Sequence, residues 1–114
     1  MIESLEAIRT AVTEYKTSPD PSGDAICDWL RTITTHLYTL AEERAKAQKK
    51  YQDIIYNGVR EREYSVSRAE NIAEVQVPEL YMLRYVMKDA EDCVQALRSH
   101  LSHLKFQANT TNNV

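Results

Sequence analysis

Six cations crowd residues 44 to 62: Arg44, Lys46, Lys49, Lys50, Arg60 and Arg62 stand against Asp53 and Glu61, a local net charge of +4. Tyr51, Tyr56 and Tyr64 are interleaved with them, and Arg68, Tyr81, Arg84 and Tyr85 follow further along the chain. Cations neutralise phosphates whatever the base sequence, and an aromatic face stacks on any base, so the combination suits single-stranded nucleic acid. The same residues have a second, purely structural reading. Lys and Arg in the last turns of a helix oppose the negative end of its dipole, and Tyr51 occupies a seam position.

Other chemistry-bearing residues are sparse. His100 and His103 stand three apart and could share a metal, but no Cys, Asp or Glu lies within the same two helical turns to complete a tetrahedral set. They read as cations at a helix end. His36 has only Thr32, Ile33, Thr39 and Leu40 at helical neighbour spacing and reads as a flank residue. Cys27 and Cys93 lack CxxC spacing, which predicts free thiols acting as small core groups in a reducing compartment. No P-loop, GxSxG, HExxH or GxGxxG pattern occurs, so no enzyme, cofactor or metal is expected.

Against 14 Lys plus Arg stand 17 Asp plus Glu, a net charge of -3 over 114 residues. That balance excludes a uniformly basic nucleic-acid coat. Residues 1 to 28 carry six acidic and two basic side chains, a net of -4, so an anionic partner must be met by the local patch. The opening MIESLEAIRT is acidic where a signal peptide is positive, and no run approaches a membrane span. A soluble, cytoplasmic protein is expected, in the host cytoplasm if phage-encoded.

The elements that must position these side chains follow from periodicity. Two Gly and three Pro are too few for the turns of a many-stranded sheet. Leu5, Ile8, Val12 and Tyr15 mark a short amphipathic helix, about 2 to 16, ended by Ser18-Pro19-Asp20-Pro21-Ser22-Gly23. Asp24 is the expected N-cap of a helix over about 24 to 56, with Asn57-Gly58 as its left-handed stop. Its apolar positions Ile26, Leu30, Ile33, Leu37, Leu40, Ala47, Tyr51 and Ile54 keep a 4, 3 alternation interrupted only at Arg44, which is expected to snorkel.

Residues 59 to 66 are ambiguous, since Glu63 to Ser67 alternates like a strand, and a Ser67 to Glu70 capping box predicts a helix over about 68 to 76. Pro78 and Glu79 open a last helix, about 79 to 106, in which Leu80, Leu83, Met87, Ala90, Val94, Leu97, Leu101 and Leu104 form a second seam. The tail 107–114 is too polar to offset its ordering entropy and is expected to be disordered.

The predicted fold is therefore all-α, a single helical domain over 1–106. Its long heptad-patterned helices form an antiparallel hairpin or a coiled-coil bundle. Two narrow seams about 50 Å long, with Trp29, Tyr38, Tyr81 and Tyr85 besides, leave more apolar surface than a thin bundle covers. A homo-oligomer is expected, joined through Ile26, Leu30, Ile33, Leu37, Leu40, Leu80, Leu83, Met87, Val94, Leu97, Leu101 and Leu104.

The run Ala45-Lys46-Ala47-Gln48-Lys49-Lys50-Tyr51, the break Tyr56-Asn57-Gly58, the Arg/Glu-rich connector, and the closing Leu97-Arg98-Ser99-His100-Leu101-Ser102-His103-Leu104-Lys105 resemble the phage UvsY-type recombination mediators and related small helical phage proteins. The resemblance spans about residues 37 to 106. It implies a ring-like oligomer that binds single-stranded DNA and helps a RecA-type recombinase replace single-strand-binding protein. The family's basic positions fall on Lys46, Lys49 and Lys50, and Arg98 lies in the closing motif. This chain departs from the pattern in its acidic first segment and in lacking an Arg between its Lys run and Tyr51.

From residues and resemblance together, the expected function is an oligomeric single-stranded-DNA-binding recombination mediator with no membrane partner. Its expected contacts are Lys46, Lys49, Lys50, Tyr51, Tyr56, Arg60, Arg62 and Arg98. The alternative is a structural or adaptor coiled coil that binds a phage or host protein, its acidic first helix docking on a basic partner.

Overall fold

The computed structural model describes residues 1–112. Among them the chain is all-α, with α1 (Ile2–Thr17), α2 (Gly23–Glu61), α3 (Val66–Gln76) and α4 (Pro78–Asn112), and no strand.

Backbone geometry at each junction explains where these helices begin and end. Ser22, not Asp24, caps α2: it is extended (φ -71°, ψ 160°) and its hydroxyl accepts from the Ala25 N–H at 3.1 Å. Asp24 falls in the first turn, where its carboxylate still favours the positive helix end. Asn57-Gly58 does not stop α2, which runs on to Glu61. Gly58 has no positive φ, so it cannot make the left-handed turn expected of it. Its missing side chain serves close approach instead, since a Cβ there would lie 3.3 Å from both Ala69 Cβ and Tyr64 Cδ2. The left-handed residue is Glu63, at φ 57°. The Tyr64 N–H then donates to the Gly58 carbonyl at 3.0 Å, satisfying one orphan acceptor of the helix end.

The strand-like alternation over 63–67 is thus a turn and a cap. Ser65 (φ -63°, ψ 155°) accepts from the Arg68 N–H at 3.1 Å, so α3 starts at Val66 rather than at 68, and Ser67 lies inside it. Between α3 and α4 only Val77 is non-helical (φ -127°, ψ 61°), as expected of a residue before proline, and Pro78 opens α4 where its lacking N–H costs nothing.

Cross-helix contacts fix the directions. Gly23 approaches Leu101, Gln48 accepts from the Arg84 guanidinium, and Gly58 faces Ala69. α4 and then α3 therefore line α2 antiparallel, arranged end to end. α1 also runs antiparallel to α2: Ser4 meets His36 at its start, and Glu14 accepts from the Trp29 indole N–H near its end, at 2.9 Å each. Opposite α4, Lys16 of α1 lies 3.9 Å from Asp89.

The two seams meet each other inside this one chain. Ile26, Ile33, Leu40, Leu80, Leu83, Met87, Val94 and Leu97 are buried with Ile8, Ala11 and Val12 of α1. Leu30, Leu37, Leu101 and Leu104 are half-buried against that core. The residues expected to join copies are thus largely consumed within a single chain, because α1 supplies a third apolar face that periodicity of the long helices alone does not reveal.

Residues 107–112 continue α4, in place of the disordered tail expected there; 113 and 114 of that tail lie outside the described residues. Extending a formed helix adds a hydrogen bond per residue without a new nucleus, which offsets the polar composition. The result is a rod of 73 × 25 × 20 Å whose radius of gyration is 19.9 Å, against about 13 Å for a compact chain of this length.

Candidate nucleic-acid interface

Helical spacing carries most of the basic cluster to one side of α2. Lys46, Lys49, Lys50, Asp53, Tyr56 and Arg60 recur at three and four residues and all are exposed. Ala47 and Gly58, whose positions point the other way, are buried. The face is not a bare row of charges. Lys46 lies 3.6 Å from Glu43. The Arg60 guanidinium sits 5.7 Å from the Tyr56 ring centroid, and its Nη1 donates to the Tyr56 hydroxyl at 2.9 Å. Arg68 covers Tyr64 in the same way at 4.2 Å. These contacts leave Lys49 and Lys50 as the cations here that form neither an ion pair nor a ring contact among the described residues.

Three sequence candidates stand elsewhere. Tyr51 is half-buried and turns toward α4, lining a cleft with Tyr81 and Arg84. Arg62 caps α2 and lines a cleft against α3 with Gly58, Tyr64 and Ala69. Arg98 is exposed on α4, 14 residues beyond Arg84, which at about 1.5 Å per residue puts it roughly 21 Å further along the rod. It is not part of the cluster. Arg44 is exposed, and it meets Arg84 across a cleft whose other walls are Ala41, Ala45 and Gln48. The charged interruption of an otherwise apolar seam marks Arg44 in the sequence, but not Arg84 as the residue it faces.

At the other end of the rod the polar residues fasten α1. His36 Nδ1 shares a 2.9 Å hydrogen bond with the buried Ser4 hydroxyl, and His100 Nδ1 shares one of 3.3 Å with the Tyr15 hydroxyl. Tyr15 also packs at 5.7 Å, tilted, on the Trp29 ring. Both histidines find partners on another helix, which neighbour spacing along one helix cannot disclose. Of the two thiols, Cys93 is buried as expected, whereas Cys27 is exposed. Burial pushes the Cys93 thiol above its ordinary value, with Lys16 pulling it back and Asp89 adding to the rise.

Among the described residues no three His, Cys, Asp or Glu side chains gather where they could hold a metal, and no helix is long and apolar enough to cross a membrane. Compared with protein-family models, with curated proteins and with solved structures, the chain matches none.

Proposed function

We propose that the protein binds single-stranded DNA without base preference and, as an oligomer, assists the loading of a RecA-type recombinase. The observation that carries the DNA contact is the exposed face of α2, where Lys46, Lys49, Lys50 and Arg60 follow one helical stripe with Tyr56 among them. Exposed cations there reach phosphates while keeping part of their hydration, and release of the strand's condensed counterions drives the contact. The recombinase and the displacement of single-strand-binding protein rest on the resemblance of residues 37 to 106 alone.

Oligomerisation is supported by shape. The chain exposes 8109 Å², against about 6,400 Å² for a compact protein of its mass, and Tyr38, Tyr81, Tyr85 and Val75 are each more than two-thirds exposed. Since the heptad seams are largely consumed within the chain, copies would meet mainly through residues outside them.

A second reading is favoured by one observation. α3 shows water an aliphatic spot, with Val75 80% exposed beside half-buried Ile72 in a shallow groove, as an adaptor for a protein partner would. Titration of a labelled oligo(dT) at two salt concentrations separates the readings. Binding that weakens with salt supports the first, and no binding at low salt leaves only the second.

A further inference from the structure

Two open clefts share Arg84 on the side of the rod where α2 meets α4. The first, about 480 Å³, lies at the Pro78 break and has Tyr51 and Tyr81 among its walls over the apolar Val77 and Leu80. The second, about 450 Å³, lies one helical turn further along and has Arg44 and Arg84 on its rim with Ala41 and Ala45 as small walls. Both fall in the size range of about 300 to 1,000 Å³ typical of small-ligand sites.

Their chemistry differs in a way that points to one ligand. Arg44 and Arg84 are like charges around the same hollow, no carboxylate lines it, and neither has an ion pair among the described residues. A hydrogen bond from Arg84 to Gln48 holds its guanidinium on the crest between the two clefts. Two unpaired guanidiniums about a carboxylate-free hollow are stabilised by an anion with several acceptor oxygens, a phosphate above all. The neighbouring cleft carries Glu74, which repels an anion, together with two phenol rings, one of them 78% exposed. That cleft suits a flat, uncharged group.

We propose that this pair of clefts seats one nucleotide of a single strand, its phosphate between Arg44 and Arg84 and its base against Tyr81, with Tyr51 as the second wall. The assignment rests on the single-strand-binding reading and adds to it a stacking site separate from the lysine face. At Tyr56 the aromatic group is already engaged by Arg60; Tyr81 has no such cover.

The test compares oligo(dT) of about twelve nucleotides with an abasic strand of equal length and charge, measured by fluorescence anisotropy on the full chain. Tyr81→Ala should weaken oligo(dT) about tenfold and leave the abasic strand unchanged, while Tyr81→Phe keeps wild-type affinity. The joint Arg44→Ala, Arg84→Ala variant should weaken both strands by the same factor. Tyr81, Arg44 and Arg84 are all exposed, so these variants keep the fold, which helical circular dichroism verifies. Equal affinity of wild type and Tyr81→Ala for oligo(dT), with Lys49→Ala, Lys50→Ala still weakening it, overturns the stacking site and leaves the lysine face standing. Free thymidine monophosphate binding as tightly as the strand also overturns it, and wild type that binds neither strand overturns both readings.

Discussion

Glu63 holds left-handed backbone at φ 57° to turn the chain out of α2, a conformation that costs a residue with a Cβ about 1 to 2 kcal/mol and glycine almost nothing. Glu63→Gly should therefore raise stability by about 0.5 to 1 kcal/mol in urea unfolding, after glycine's larger unfolded entropy is set against the relief; an equal or lower midpoint contradicts the strain. Gly58 is the opposite case. Its backbone is helical and its need is space, so Gly58→Leu should force α3 away from α2 and cost about 1 to 3 kcal/mol. The Asn57-Gly58 pair reads in sequence as a stop because both turns and close helix approaches select glycine, and only the partner, Ala69, tells them apart. Cys93 offers a pH test. Its folded value is raised by burial, so the stability it contributes is complete below the ordinary thiol range and is lost as pH climbs from there through the folded value. Cys93→Ala should lose less stability between neutral and alkaline pH than wild type does, and a thiol reagent should modify exposed Cys27 well before Cys93.

α1 is the element on which the bundle's third face depends. Ile8, at 2% exposure, enters the core between α2 and α4, so Ile8→Ala should cost about 2 to 4 kcal/mol and speed hydrogen exchange in α1 first. A loss under 1 kcal/mol would mean that α1 is not part of the cooperative unit. At the far end of the rod, Ser65→Ala removes the cap of α3 and should cost about 1 kcal/mol. The two long helices were legible because a 4, 3 alternation kept over many turns has no other structural meaning. The caps were not, since Ser22 competes with Asp24 and Ser65 with Ser67, and the dihedrals of a single residue decide between them. The use of the seams was also hidden. Leu40 and Leu83 could equally have met another copy, and what settles their burial is the register of α2 against α4 together with the cover that α1 adds.

Across the whole molecule, charge is segregated along a 73 Å rod. The net -4 of residues 1 to 28 lies at the three-helix end, and the net +4 of residues 44 to 62 lies where α3 and the start of α4 accompany α2; there Glu63, Glu70, Glu74 and Glu79 against Arg68 and Arg84 lower that end to +2. Such a dipole orients an anionic strand toward the basic end before contact, and salt weakens that steering. The lysine stripe of this end was legible from helical spacing alone. The meeting of Arg44 with Arg84 was not, because it depends on the register of residues 40 apart in sequence. The most direct measurement is the affinity for oligo(dT) as a function of salt, for wild type and for Lys49→Ala, Lys50→Ala. With about four phosphate contacts from Lys46, Lys49, Lys50 and Arg60, log affinity should fall against log salt with a slope of about -3, flattened by one to two units in the variant. Absent binding at low salt, or a slope that the two substitutions leave unchanged, would contradict capture of the strand by this face of α2.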